Sequence, residues 1–210
     1  MPRRSPTRWA AATVAIALWL GMVAAGFRAI EVHETTAGDV GRVPASWPDA
    51  TTLDFVPRRP NVLMAVHPRC PCTRASLDLL LAGTRGMALD ASIRLLVYRP
   101  EDATPDWGGA SVMPFVGSGG GAAVVDDPGG REAATFGLVT SGAVAAYDGE
   151  GRLRFSGGLT AVRGRDIPSR GAEALGSVLS GRDPSTGSSS VFGCGMAAAS
   201  CLPAAGRSGP

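Results

Sequence analysis

Five consecutive apolar residues, Val62-Leu-Met-Ala-Val66, constrain this chain more than any other stretch. A strand with one wet face alternates apolar and polar side chains, so an unbroken run predicts a strand buried on both faces. Pro71 through Ala82 then reads as a helix, with Leu77, Leu80 and Leu81 at i, i+3 and i+4 and Gly83 as its expected stop. The segment from Ser92 to Tyr98 is the next strand, closed by Arg99-Pro100. The order β-α-β favours parallel strands joined by a right-handed crossover.

Residues 100–121 read as a loop-rich insertion ending in Gly-Ser-Gly-Gly-Gly. A short strand is expected over Ala122–Val125 and a short helix over Gly130–Phe136, after an Asp-Asp-Pro-Gly turn that contains Asp126 and Asp127. Ala143–Tyr147, the turn Asp148-Gly-Glu-Gly151 and Arg152–Phe155 form a β-hairpin pattern. A last helix is expected over Ser169–Leu179, so the folded domain spans 53–182. From Gly181 onward the composition turns to Gly, Ser, Pro and Ala, which predicts a mobile tail over 183–210 that carries Cys194 and Cys201.

Ahead of this domain, the run from Trp9 to Phe27 holds no charge in 19 residues. At about 1.5 Å per helical residue it spans a bilayer core of roughly 30 Å. Arg3, Arg4 and Arg8 on its N-terminal side keep that end in the cytoplasm. The expectation is a single-pass anchor over residues 1–30, with the C-terminal domain in the periplasm or an equivalent compartment. The run exceeds the usual signal-peptide core of about 7–15 residues, although Ala24-Ala25-Gly26 would suit a peptidase and leaves cleavage open. Residues 31–52 lack periodicity and read as a linker, in which His33 is a solvent-exposed residue.

Export bears on the four cysteines, because an oxidising compartment permits disulfides. Cys70-Pro71-Cys72 sits where the first strand meets the first helix. With Cys70 at the N-cap and Pro71 at the first helical position, the free amides of Cys72 and Thr73 point toward the Cys70 sulfur. Those donors and the helix dipole favour a thiolate, with Arg69 and His67 adding positive charge, so Cys70 is the expected nucleophile. Three uses of the motif stay open. Cys72 resolves a mixed disulfide formed on Cys70, through a tight ring that would make the pair a relatively strong oxidant or an isomerase. Alternatively Cys194 folds back from the tail and resolves it. In the third, Cys70, Cys72, Cys194 and His67 hold a soft metal such as copper(I) or zinc. A domain merely stapled by disulfides, with no turnover, is the non-enzymatic alternative.

The order of elements, together with Phe136-Gly137-Leu138-Val139 and the hairpin Tyr147-Asp-Gly-Glu-Gly-Arg152, resembles the thioredoxin-like α/β fold, a central mixed sheet flanked by helices. It is most similar to exported, membrane-tethered proteins of the TlpA and ResA type. More narrowly, His67-Pro-Arg-Cys-Pro-Cys-Thr-Arg-Ala-Ser76, Phe155-Ser-Gly-Gly-Leu-Thr-Ala-Val-Arg-Gly164 and Val191-Phe-Gly-Cys-Gly195 together resemble the RedB family, across roughly residues 55–196. The resemblance implies thiol–disulfide exchange with protein thiols or disulfides, a redox partner, and no cofactor. It also implies two departures. Thr73 stands where the second cysteine of an ordinary thioredoxin would be, and Thr140-Ser141-Gly142 stands where such proteins carry a cis-proline. Thr73, Ser141 and Gly142 are therefore the expected substrate-contacting positions, with Gly142 leaving the space over the sulfurs more open.

Other chemistry finds little support. Net charge is +2, and all 20 basic residues are arginines scattered without aromatic interleaving, so no nucleic-acid partner is expected. There are 2 histidines, one in the linker, which leaves a histidine-based triad a single candidate base. The Gly117–Gly121 run lacks the Lys-Ser/Thr that a phosphate cradle needs. Trp107 reads as a loop residue that packs on the surface or contacts substrate. Asp148 and Glu150 read as turn residues.

Overall fold

The computed structural model describes residues 6–84, 90–104, 107 and 121–196, which fall into two compact units, Met1–Thr36 and Ala37–Pro210. In the first unit a single helix, α1 (Pro6–Thr35), carries its apolar side chains exposed all round, among them Trp9, Leu18, Trp19 and Phe27. Its segment Trp9–Thr35, 27 residues with mean hydropathy 2.0, is long and apolar enough to cross a membrane. The helix passes residue 30, where the anchor was expected to end, because no Gly or Pro intervenes before Gly38. Arg28 and Glu31 pair at 2.7 Å along its last turns.

The second unit is built on strands β1 (Asn61–Val66), β2 (Ser92–Arg99), β3 (Ala122–Pro128), β4 (Ala143–Tyr147) and β5 (Leu153–Gly158). Helix α2 (Pro71–Thr84) joins β1 to β2, α3 (Arg131–Thr135) joins β3 to β4, and α4 (Arg170–Leu179) follows β5. The sheet order is β3-β2-β1-β4-β5. β2 is parallel to β1 and to β3, while β4 is antiparallel to β1 and to β5. This mixed sheet with its flanking helices is thioredoxin-like. β1 lies at the centre, and all six of its residues are buried, as its unbroken apolar run predicts.

On one face Val62, Met64 and Val66 pack with Ile93, Leu95, Val144 and Phe155 against Leu77, Leu80 and Leu81 of α2 and Leu175 and Val178 of α4. On the other face Leu63, Ala65, Leu96, Ala145 and Tyr147 meet Ala133 of α3, Phe136, Leu138, Val191 and Met196. At five residues α3 is too short to cover this second face, and residues 37–55 complete it. The linker expected over 31–52 is thus corrected: its first residues continue α1, and the remainder is a strap laid on the domain. Trp47 N–H donates to the Gly151 carbonyl (2.8 Å) and Leu153 N–H to the Ala45 carbonyl (2.8 Å), either side of a bridge between Ser46 and Arg152. The Trp47 ring stacks edgewise on Phe136 and Tyr147. The Tyr147 hydroxyl donates to the Pro44 carbonyl (3.1 Å), and the Glu132 carboxylate accepts from Thr52 N–H (2.9 Å). Close approach at the strap requires glycine. A Cβ on Gly41 would stand 2.1 Å from the Gly137 carbonyl oxygen, and one on Gly137, at φ +67°, 2.3 Å from that of Arg42.

Smaller corrections follow the same logic. α2 continues through Gly83 to Thr84. β3 extends to Pro128, so Asp126 and Asp127 lie on a strand and not in a turn. Asp126 pairs with Arg99 at 2.8 Å. The buried Asp127 carboxylate accepts from the amides of Glu132 (2.9 Å) and Ala133 (3.0 Å) at the start of α3. The tail expected as mobile from 183 is held through Met196, with Ser188 bridged to Ser156 and Gly195 to Thr140. Residues 105–106 and 108–120 of the insertion, and Cys201, lie outside the described residues.

Candidate active site

The central strand delivers the site. β1 ends at Val66, a tight turn follows in which Cys70 N–H donates to the His67 carbonyl (3.0 Å), and Pro71 opens α2. Proline suits the first helical position because its missing N–H has no intrahelical partner to lose. Cys70 therefore stands immediately before α2, near the C-terminal ends of the parallel strands, where open α/β sheets leave a crevice.

Its neighbours in space are the other two described cysteines. The sulfurs of Cys70, Cys72 and Cys194 all lie within 4.8 Å of one another, and none of the three is in a disulfide. Cys70 and Cys72 are each only 4% exposed. The Cys70 thiol is pulled from 9.0 down to about 4, chiefly by a hydrogen bond from Cys72, against the opposing effect of burial. The Cys194 backbone N–H, the Cys194 thiol and the Thr73 N–H add to the lowering. Cys72 moves the other way: donating to Cys70 pushes its thiol up, burial and the nearby Cys70 charge add to this, and Arg163 opposes it. The cluster thus holds an anion on Cys70 and a proton on Cys72. The helix-start amides, expected to dominate, are represented by Thr73, while the larger contributions come from the other two cysteines.

His67 does not add the positive charge expected of it. Burial lowers its pKa, only partly countered by Cys70, and Arg69 lowers it further, so the ring is neutral near pH 7. The imidazole stacks on Tyr98 (5.2 Å) and meets Trp107 edge-on (5.9 Å), and Nδ1 accepts from Arg69 N–H (3.3 Å). It stands outside the sulfur cluster, so its place in the alternative metal reading is corrected to that of a packed ring. Trp107 also lies under the Arg69 guanidinium at 4.4 Å.

Thr73, Ser141 and Gly142 do converge on the site, but they face inward. The Thr73 and Ser141 hydroxyls are 2.5 Å apart, Thr73 donates to the His67 carbonyl (3.2 Å), and His67 N–H donates to Ser141 Oγ (2.9 Å). This buried knot ties the start of α2 to the turn before β4. Gly142 adopts φ +90° and donates its N–H to the Ala65 carbonyl (2.8 Å). The space beside it is occupied, since a Cβ there would meet Ser76 Oγ at 2.9 Å.

Cys194 is brought against the other two cysteines by the segment Val191–Met196. Ser141 N–H donates to the Cys194 carbonyl (2.8 Å) and Met196 N–H to the Val139 carbonyl (2.8 Å), around the antiparallel bridge between Thr140 and Gly195. Arg163 Nη1 donates to the Gly193 carbonyl (2.5 Å). A Cβ on Gly193 would lie 1.9 Å from the Ser141 carbonyl oxygen, so only glycine passes there. Sequence reasoning overlooked Arg163. Its one signal was its place in the Phe155–Gly164 motif, three residues after Thr160.

No protein-family model matches the chain, and no curated protein matches it either. Solved structures do. A conserved protein of unassigned function from Geobacillus kaustophilus aligns with TM-score 0.54 and 16% identity, over 77% of this chain and 92% of its own. A hypothetical protein from Sinorhizobium meliloti aligns with TM-score 0.52 and 22% identity, over 78% and 96%. A DsbF homologue from Corynebacterium diphtheriae reaches TM-score 0.41 at 18% identity, over 69% and 87%. The first two share the fold of this chain.

Proposed function

We propose that this chain is an exported, membrane-tethered thiol–disulfide oxidoreductase that acts through Cys70, on the lines of the RedB-like proteins its motifs resemble. One observation carries the reading. A cysteine that follows the turn after the central strand, immediately before a helix, has two further thiols within 4.8 Å of its sulfur, and hydrogen bonds from them lower its pKa. A thiolate is the nucleophile of disulfide exchange, and a resolving thiol must lie within reach of the mixed disulfide. The three sulfurs, within 4.8 Å of one another, support both roles. The substrates are protein disulfides or dithiols, with a second redox protein resetting the cysteines. Ser141 contributes its backbone N–H to a docked substrate, while Thr73 and Gly142 hold that turn in place. The apolar α1 and its arginine-flanked N-terminus support a single-pass anchor with the domain outside the cytoplasm.

The test uses the full chain in detergent with a disulfide-containing peptide. Cys70→Ser abolishes exchange. Cys72→Ser or Cys194→Ser, whichever removes the resolving thiol, accumulates a mixed disulfide on Cys70 that mass spectrometry maps. Exchange that survives in Cys70→Ser refutes the reading.

The same three sulfurs favour a second reading, binding or delivery of a soft cation, since thiolate-rich sites suit copper(I) and zinc. Stoichiometric copper(I) or zinc on the reduced full chain, lost in Cys70→Ser, would establish it. A reduced chain that retains neither ion excludes it.

A further inference from the structure

The segment Val191–Met196 does more than supply a thiol. It lies antiparallel to Val139–Ser141, takes the Ser141 N–H, and sets Cys194 beside the Cys70 thiolate. An added extended segment that donates and accepts main-chain hydrogen bonds at an edge, with one side chain presented to a reactive group, is the arrangement by which a peptide docks through β-augmentation. Here the occupant is the chain itself. It is clamped from outside by Arg163 on the Gly193 carbonyl, and its close approach depends on a glycine.

Building on the thiol–disulfide reading, we infer that Val191–Met196 is a built-in stand-in for the substrate, competing with an extended, cysteine-bearing polypeptide for the Val139–Ser141 edge, and that its return to this edge delivers Cys194 as the resolving thiol. In the reducing direction a substrate strand displaces the middle of the segment, Gly193–Gly195, while Val191 and Met196 stay anchored in the core. The Cys70 thiolate attacks the substrate disulfide, its S–S bond breaks, and the departing thiolate takes a proton from water. A Cys70–substrate disulfide remains. The segment then re-docks, Cys194 gives its proton to water and attacks the Cys70 sulfur, and the second substrate thiolate leaves and is protonated. Two electrons have passed to the substrate, and the chain holds a Cys70–Cys194 disulfide that a partner dithiol must reduce. Because both strands need the same amide, resolution and product release become one event, and tethering makes Cys194 locally concentrated. Cys72 remains the proton-holding neighbour that keeps Cys70 ionised.

The experiment compares two probes on the reduced full chain in detergent micelles. One is an extended peptide carrying a single cysteine as its mixed disulfide with a chromogenic aryl thiol. The other is the same aryl thiol as a small symmetric disulfide. Gly193→Val forces the segment off the edge, and Arg163→Ala removes its clamp, while all thiols are kept. In Gly193→Val the rate ratio of peptide to small probe is expected to rise about tenfold, the worth of one to two net hydrogen bonds. Arg163→Ala is expected to shift the ratio the same way by about threefold, and circular dichroism checks both folds. In the wild type, mapping after reaction is expected to find Cys70 joined to Cys194. A variant that keeps its fold but leaves the ratio at the wild-type value overturns the inference, and Arg163→Ala decides alone if Gly193→Val does not fold. A product joined as Cys70–Cys72 with Cys194 free overturns it as well. If wild-type Cys70 reacts with neither probe, the thiol–disulfide reading fails and takes this inference with it. Reaction with both probes at an unmoved ratio removes the inference alone.

Discussion

Replacing Cys72 by alanine tests the electrostatics of the site most directly. The Cys72 thiol is the largest contributor holding Cys70 near a pKa of about 4, against 9.0 for an ordinary thiol. A hydrogen bond to a charged group is worth about 1.5–3 kcal/mol, and one pKa unit corresponds to about 1.4 kcal/mol. Cys72→Ala should therefore raise the Cys70 midpoint by about one to two units. It should not restore the ordinary value, because the Cys194 and Thr73 donors remain. The assay is the ultraviolet thiolate absorbance of the reduced full chain against pH, with Cys70→Ala subtracted to isolate one sulfur. A Cys72→Ala curve that overlays the wild type would refute the assigned role of Cys72. A wild-type midpoint near 9 would refute the ionised nucleophile itself. Stability follows with a definite sign. Cys70 has a depressed folded pKa, so its contribution is complete above 9.0, declines as pH falls, and is gone below about 4. The buried His67, whose pKa is lowered from 6.5, works in the same direction, because the unfolded chain takes up that proton first. The reduced chain should accordingly unfold at lower urea at pH 5 than at pH 8, and Cys70→Ser should narrow the gap.

Three further substitutions probe the surrounding frame. Trp47→Ala should cost about 2–4 kcal/mol in urea unfolding, because the ring packs on Phe55, Phe136 and Tyr147; an unchanged midpoint would return residues 37–55 to the status of a linker. Ser141→Ala strips the buried His67 N–H of its acceptor and Thr73 of its hydroxyl partner, with an expected loss of about 1–3 kcal/mol by the same measurement. Gly142→Pro, which inserts the residue that the resemblance would place here, removes the N–H bonded to Ala65 and cannot adopt φ +90°, so it should cost about 3 kcal/mol or more; a stable, active variant would show that the backbone there is not constrained as described.

Much of the domain was legible before any coordinates. The apolar run at Val62–Val66, the leucine spacing in Pro71–Thr84, and the Asp148–Gly151 turn each specify an element through neighbours a few residues away. Cys70 at the head of a helix is equally local. The strap and the tail were misread for one shared reason. A single extended segment that completes a sheet face uses backbone hydrogen bonds and a few anchors, here Trp47, Val191 and Met196. It needs no periodicity, so its composition looks like that of a linker. Gly41, Gly137 and Gly193 look like flexible-loop residues in sequence, yet each marks a place where two backbones nearly touch.

The sequence by itself therefore determined the order of strands and helices, the long apolar helix at the N-terminus, and the placement of one cysteine where a helix begins, because these depend on periodicity and end chemistry within a few residues. Only the tertiary structure decided that a third thiol from the tail meets the first two, that Arg163 and a glycine hold it there, and that His67 is a neutral packed ring. Those outcomes depend on distances across the sheet and on how much of each group is withdrawn from water, and chain spacing encodes neither quantity.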